Sequence, residues 1–373
     1  MALESGGPPR WNKPTPSDAP NGTSETAREL PGADPESREF DRCGPTAASD
    51  RFQVLALDGG GAKALFTAHV LARLEADLGV RVVDAFDLIA GTSAGGVIAL
   101  ALGAGIRPAE IVEHYAALTT RVFPYGRRSR LHYLSRPWKH AYSGAALREA
   151  LGEVLGSRLL GQSQKRLVIP SWDVQRSEVH LFKTPHHERL RRDWRIPMVD
   201  VAMATTAAPS YFPAAVVDGQ RLVDGGVWAN NPSLVAIGEA VSMLGVPVNC
   251  VRVLNIGTVD QRNPHQKRFD VGGWATWATT AAPLMLTASS RGVQGTASHL
   301  VGARNYARFD VTVPGSLFTL DQADSEALAG LAAGQSRVLS PIYCELFHGH
   351  HADTYAPIHG PGLGAVSPQG AEK

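Results

Sequence analysis

Two hydrophobic periods divide the chain. Continuous apolar runs bounded by glycine or charge read as buried strands: Arg51–Asp58, Phe86–Ala90, Arg166–Ile169, Val179–Lys183, Arg221–Asp224 and Cys250–Gly257. Helical spacing takes over between them. Leu65, Leu71, Leu74 and Leu78 share one face of a helix closed by Gly79. An apolar helix begins at Val97, and Ile111, Tyr115 and Leu118 share a face within a mostly helical stretch, 108–165. Met198–Ala208 forms a helix that stops before Pro209, and another starts at Pro232. Val271–Ser290 is uncharged and reads as a core helix, with lipid contact through Trp274 and Trp277 as the other reading.

The flanks lack both periods. Residues 1–48 are rich in Pro, Gly, Ser, Thr and Glu and carry few aliphatics, so they form a disordered arm. The Gly-, Pro- and His-containing segment 349–373 reads as a disordered tail. The ordered domain is therefore expected over 49–348, with the helical stretch 108–165 as a lid-like insertion. Leu88–Ile106 runs 19 residues without a charge, long enough to be a membrane span. Five glycines interrupt it, at 91, 95, 96, 103 and 105, and a buried strand–turn–helix accounts for it better.

Composition narrows the field. The chain has 373 residues, 44% of them hydrophobic, enough for one large domain or two ordinary ones. A net charge of +1 gives no global field that would draw DNA or RNA. Three distant cysteines, Cys43, Cys250 and Cys344, argue against a disulfide framework or a zinc site. With no apolar leader at the N-terminus, the expected location is the cytoplasm.

The chemistry starts at Gly91-Thr92-Ser93-Ala94-Gly95, which fits the G-x-S-x-G turn that lifts a serine hydroxyl to the start of a helix. The plainer reading is a serine that only caps the helix. Gly59-Gly60-Gly61 follows the first strand and leaves backbone N–H groups unobstructed for an anion. That anion is either a dinucleotide, with Gly59, Gly61, Ala64 and the later Asp84 in the expected pattern, or the oxyanion formed when Ser93 attacks an ester. Asp224 ends a strand just before Gly225-Gly226; it is either a turn residue or the base for Ser93. A histidine triad is the rival, since His265, His299 and His348 all follow Asp224. The basic, aromatic stretch with Arg127, Arg128, Arg130, Arg136, Trp138, Lys139 and His140 is a membrane-facing lid or a solvated loop. His186 and His187 lack partners at zinc spacing, so no metal is expected, and the arginines after them either grip phosphates or form a charged surface loop.

Three motifs in order, Asp58-Gly-Gly-Gly-Ala-Lys63-Ala64, Gly91-Thr-Ser-Ala-Gly95 and Asp224-Gly225-Gly226, resemble the patatin-like phospholipases. The resemblance spans roughly residues 52–260. It implies a three-layer α/β/α fold around a mainly parallel sheet and hydrolysis of lipid acyl esters by a Ser–Asp dyad without metal or cofactor. Ser93 would be nucleophile, Asp224 base, and Gly59, Gly60 and Gly61 the oxyanion hole, with Asp58, Lys63, Gly91, Gly95, Gly225 and Gly226 supporting them. Lys63 matches the usual basic position, whereas Ala64 stands where the family usually has glycine. Phe182–His186, Ala202–Phe212, Asp224–Pro232 and Leu254–Thr258 further resemble the bacterial anti-phage (CBASS) phospholipase effectors. That similarity implies activation by a cyclic dinucleotide such as 3′,3′-cGAMP from a partner synthase, homo-oligomer formation, and attack on membrane phospholipids at the inner face of the cell membrane. His187, Arg189, Arg191 and Arg192, chosen on charge alone, are the candidate nucleotide contacts. A nucleotide-binding protein, an inactive patatin-like binding module and a constitutive lipid esterase are the alternatives.

Overall fold

The computed structural model describes residues 51–123, 140–261, 270, 273–313, 318, 321 and 324–360; for 261 and 274–283 only the backbone is described. The arm 1–48, His265 and the basic run from Arg127 to Lys139 lie outside the described residues. Strand β1 (Phe52–Leu57) enters a single mixed sheet. It is followed by α1 (Leu65–Leu78), β2 (Leu88–Gly91), α2 (Ala94–Gly103), α3 (Pro108–Val122), α4 (Gly144–Leu155), β3 (Arg166–Asp173) and β4 (Glu178–Lys183). Next come α5 (Met198–Thr205), β5 (Ala215–Val217), β6 (Gln220–Asp224), α6 (Gly226–Ala229) and α7 (Ser233–Ser242). The last elements are β7 (Val251–Gln261), α8 (Trp274–Val301), β8 (Tyr306–Val313) and α9 (Ser325–Leu346). The sheet order is β5-β6-β3-β2-β1-β7-β8, with β4 also paired to β3.

Strand alternation builds three layers. Leu55 and Leu57 of β1 face one core, shared with α1, α2, α3, α4, α5 and α9. Val54 and Ala56 face the other, shared with Ala236, Ile237 and Ala240 of α7 and Ala297 and Val301 of α8. The β1, β2, β3, β7 and β8 strands run parallel; β1, β2, β3 and β7 are buried on both faces along most of their length, which is why they read as apolar runs, whereas edge strand β8 alternates. The fold is thus the expected three-layer α/β/α arrangement. The uncharged run Leu88–Ile106 divides into β2 and α2, and all ten residues of α2 are buried. Among the described residues no helix is long and apolar enough to cross a membrane.

Strand β3 organises the sheet around two neighbours of opposite direction. Val168 faces β2 on one edge and Lys183 of β4 on the other. Farther along, Ser171 faces His180 of β4 and, opposite it, Asp224 of β6. Parallel β2 and antiparallel β6 therefore share one edge of β3 and meet C-terminus to C-terminus.

Two features differ from the sequence expectation. Cys250 is disulfide-bonded, against the reading of unlinked thiols, while Cys344 is free and exposed. Residues 349–360, read as the start of a disordered tail, are irregular but packed. His350 Nε2 lies 2.7 Å from Asp87 Oδ2, the Ala352 N–H donates to Asp84 O, and Tyr355 is buried. Composition concealed this because a few side chains, not an apolar run, hold the segment. Nearby, the buried Gln53 side chain donates to both Ala85 O and Phe347 O, tying the start of β1 to the end of α9.

The His350→Ala variant deprives the buried Asp87 carboxylate of one partner. It is expected to lose about 1–3 kcal/mol of stability, measured as a lower urea midpoint with an unchanged m-value.

Candidate active site

The tight turn after β2 dictates its own residues. A methyl group on Gly91 would strike the Gly95 carbonyl, and one on Gly95 would strike the Leu57 carbonyl. Between them Ser93 takes φ 54° and ψ −125°, a strained conformation for a residue with a side chain. The strain is held on both sides. The Ser93 N–H donates to Thr205 Oγ1 at 2.9 Å, Thr205 in turn donates to Pro170 O at 2.7 Å, and Thr92 Oγ1 donates to Ala229 O at 2.6 Å. Ser93 occupies the N-cap position of α2 yet makes no capping bond, so the plainer reading of a helix-capping serine fails.

Its hydroxyl donates instead to Asp224 Oδ2 at 2.6 Å. Asp224 is the last residue of β6, so the end-to-end meeting of β2 and β6 brings the pair together. Asp224 Oδ1 accepts the Gly226 N–H at 2.7 Å, and a methyl on Gly225 would strike the Pro170 carbonyl. Burial pushes the Asp224 carboxyl up to about 6, although the bonds from Ser93 and Gly226 pull the other way. Among the described residues no histidine lines this cleft, and His299 and His348 are exposed.

The glycine loop faces the same cleft, with one correction. The Gly59 N–H donates to Asn230 O at 3.0 Å and is not available to an oxyanion. Gly60 and Gly61 line the cleft, and among the described residues their N–H groups have no partner. Tyr115 Oη braces the loop by donating to Gly61 O at 2.8 Å. Beneath it Asp58 accepts from Asn255 Nδ2 at 2.7 Å and Ser290 Oγ at 2.6 Å, and pairs with Arg308 at 2.8 Å. Burial pushes Asp58 up, opposed by Arg308 and those two hydrogen bonds. Lys63 Nζ donates to Val259 O at 3.0 Å, and burial pulls its pKa down. Ala64 is fully buried, so its methyl packs into the core rather than the cleft.

The cleft encloses about 200 Å³. Its floor is Ser93, Asp224 and Gly60–Gly61; Val97, Leu118, Phe123, Leu147 and Phe212 supply an apolar wall. Met285 of α8 and Val227 stand at the same cleft, 67% and 47% exposed. The core-helix reading of Val271–Ser290 therefore holds at Ser290 and not at Met285. Asp84, the acid of the dinucleotide reading, lines a different cavity. His187, Arg189, Arg191 and Arg192 lie on the turn between β4 and α5; Arg189, Arg191 and Arg192 are exposed, and the Arg191 Nε donates to Glu188 O. None of the four lines the cleft. His186 is buried against Thr184 and Glu239. Among the described residues no three His, Cys, Asp or Glu gather as a metal would require.

Sequence reasoning missed Thr205, Asn230, Asn255, Ser290 and Arg308. Thr205, Asn230 and Asn255 fall within segments that resemble the effectors, but each of the five is an ordinary polar residue whose role depends on a partner far away in the chain.

Protonation of Asp224 is coupled to folding. Its folded pKa of about 6 lies above the ordinary 3.8, so the folded state holds a proton that the unfolded state releases. Stability from this group is full below pH 4, declines as pH rises towards 6, and is about 3 kcal/mol lower above that. Asp224→Asn keeps the shape and removes the charge. It is expected to unfold at a higher temperature than the parent at pH 7.5, with the difference vanishing near pH 4.

The Patatin-like phospholipase family profile matches residues 55–237. A cGAMP-activated phospholipase of Pseudomonas aeruginosa is 33% identical over 321 residues, covering 83% of this chain and 96% of that protein. One of Vibrio cholerae is 31% identical over 317 residues, covering 76% and 89%. One of Escherichia coli is 34% identical over 225 residues, covering 57% and 63%. The chain belongs to the patatin-like phospholipase family of lipid-hydrolysing esterases.

Proposed function

We propose that the protein is a phospholipase in which Ser93 is the nucleophile and Asp224 the sole general base, and that a cyclic dinucleotide such as 3′,3′-cGAMP switches it on. The observation that carries the catalytic reading is the 2.6 Å hydrogen bond from Ser93 to a buried Asp224 at the floor of an apolar cleft. A solvated aspartate is a poor base for an alcohol. Burial brings Asp224 to about 6, nearer the range where a carboxylate takes and returns a proton at neutral pH.

Ser93 Oγ attacks the ester carbonyl and its proton passes to Asp224 Oδ2. The oxyanion is held by the Gly60 and Gly61 N–H groups and by the N-terminus of α2. Collapse breaks the ester bond, and the leaving lyso-lipid alkoxide takes the proton from Asp224. Water then attacks the acyl-serine, giving a proton to Asp224; Ser93 leaves with that proton and the fatty acid departs. The apolar wall accepts the acyl chain, and exposed Met285 and Val227 suit the edge of a lipid surface. The names of the P. aeruginosa, V. cholerae and E. coli relatives support the nucleotide switch. From the resemblance of its motifs to the anti-phage effectors, we further propose that the enzyme assembles with copies of itself on activation and degrades the phospholipids of the cell that makes it.

Fatty-acid release from phosphatidylethanolamine–phosphatidylglycerol vesicles, with and without a panel of cyclic dinucleotides, tests the whole reading. Release is expected with 3′,3′-cGAMP and is expected to fall at least about 1,000-fold in Ser93→Ala and about 100- to 10,000-fold in Asp224→Asn, while His299→Ala keeps it. Release without nucleotide would make this a constitutive esterase. No release, with Ser93 also unlabelled by a fluorophosphonate, would leave a binding module. A separate check is the pH profile: kcat/KM is expected to fall about tenfold per unit below pH 6, as the base becomes protonated.

A further inference from the structure

The largest cavity described lies away from the cleft. It encloses about 650 Å³, within the range that nucleotide-sized ligands occupy. One wall is the turn Gly161–Lys165, with Gln162, Gln164 and Lys165. A second is the segment just before β2, with Arg81 and Asp84. The third is the packed C-terminal strap, through His351, Thr354 and Tyr355. Leu102, in the last turn of α2, forms the floor.

Arg81, Gln162 and Gln164 are exposed at this cavity. Lys165 is half-buried between Arg81 and Arg166, and among the described residues neither Arg81 nor Lys165 makes an ion pair. Arg166 stacks over the Tyr355 ring, 5.6 Å from its centroid, and donates to Asp87 O. Burial pulls the Lys165 pKa down, and the two arginines add to that, against Asp84 and Asp87. Three cations, Arg81, Lys165 and Arg166, face two carboxylates, Asp84 and Asp87, so the site keeps an excess of positive charge that an entering anion offsets. The other groups suit the rest of a nucleotide. Asp84 can accept the paired N–H donors of a guanine edge, and the Gln162 and Gln164 amides can both donate and accept.

We propose that this cavity binds a cyclic dinucleotide, with Arg81 and Lys165 holding its phosphates and Asp84 facing a purine. The proposal rests on the reading that hydrolysis is under cyclic-dinucleotide control, and it replaces the exposed turn of His187, Arg189, Arg191 and Arg192 as the recognition site. Arg189, Arg191 and Arg192 are exposed and do not line the cavity, whereas Lys165 is half-buried in a concave site, where an anion is screened less. Its floor also gives the ligand a direct hold on the reaction centre, because the helix that ends at Leu102 and Gly103 is the one that begins next to Ser93. The strap is held by a few bonds, among them Ala352 N–H to Asp84 O and Ile358 N–H to Pro185 O, each 2.8 Å.

The test is calorimetric titration of 3′,3′-cGAMP, cyclic di-GMP and cyclic di-AMP into the full chain and three variants. Arg81→Glu/Lys165→Glu is expected to weaken binding at least 50-fold. The milder Arg81→Gln/Lys165→Gln, included in case charge reversal prevents folding, is expected to weaken it at least 10-fold. Arg189→Ala/Arg191→Ala/Arg192→Ala is expected to bind as the parent does. Thermal unfolding of each variant reports that it is folded. In the unmodified chain, bound dinucleotide is expected to protect Lys165 from amine acylation. Cavity variants that bind within threefold of the parent, or a turn variant that alone loses binding, would overturn the site while leaving nucleotide control standing. A parent chain that binds none of the three would overturn the control itself and the site with it.

Discussion

The site depends on one constraint of sheet geometry: β2 and β6 occupy the same edge of β3 from opposite directions, and their C-terminal ends meet. A parallel strand delivers its functional residue where it runs into the following helix. An antiparallel strand approaching along the same edge delivers its last residue to the same point. That is why Ser93 and Asp224, 131 positions apart, are held 2.6 Å from one another without any flexible side chain reaching across. Thr205 and the Pro170 carbonyl then fix the Ser93 backbone in a conformation it would not adopt alone.

Charge burial does the remaining work, and it draws on the last third of the chain. Asp58 begins the glycine loop, but its partners come from β7, α8 and β8: Asn255, Ser290 and Arg308. Burial works against the charge on Arg308, yet Asp58 and Asp310 together push its pKa up, so the guanidinium remains a fixed counter-charge. The loop that offers the Gly60 and Gly61 N–H groups is thus anchored from beneath by residues far from the three motifs. An ion pair buried this deeply is justified less by net stability than by the single loop geometry it enforces.

Much of this was legible in the sequence where the physics is local. Buried parallel strands must be apolar throughout, so β1, β2 and β7 stood out; a tight turn must have small residues beside its serine, so Ser93 did too. Asp224 was legible only once Ser93 had given it a purpose. The rest depends on distant partners. Gly59 looked equivalent to Gly60 and Gly61, yet the Asn230 carbonyl takes its N–H. The segment 349–360 looked disordered because it lacks an apolar pattern, yet His350, Tyr355 and the Ala352 and Ile358 N–H groups seat it. Arg308 carried no signal, since an arginine on an unremarkable strand becomes an anchor only when Asp58 is set opposite it.

The Gln53 side chain, bonded to both Ala85 O and Phe347 O, has a consequence for how force reaches the enzyme. It makes the end of α9 and the entrance to β1 one corner, while the cleft lies at the other end of that strand, roughly 20 Å away for six extended residues. A tether or neighbour pulling on the chain before β1 therefore loads this corner. The load is taken by the stiff centre of a parallel sheet, and the reacting groups sit beyond it, mechanically shielded.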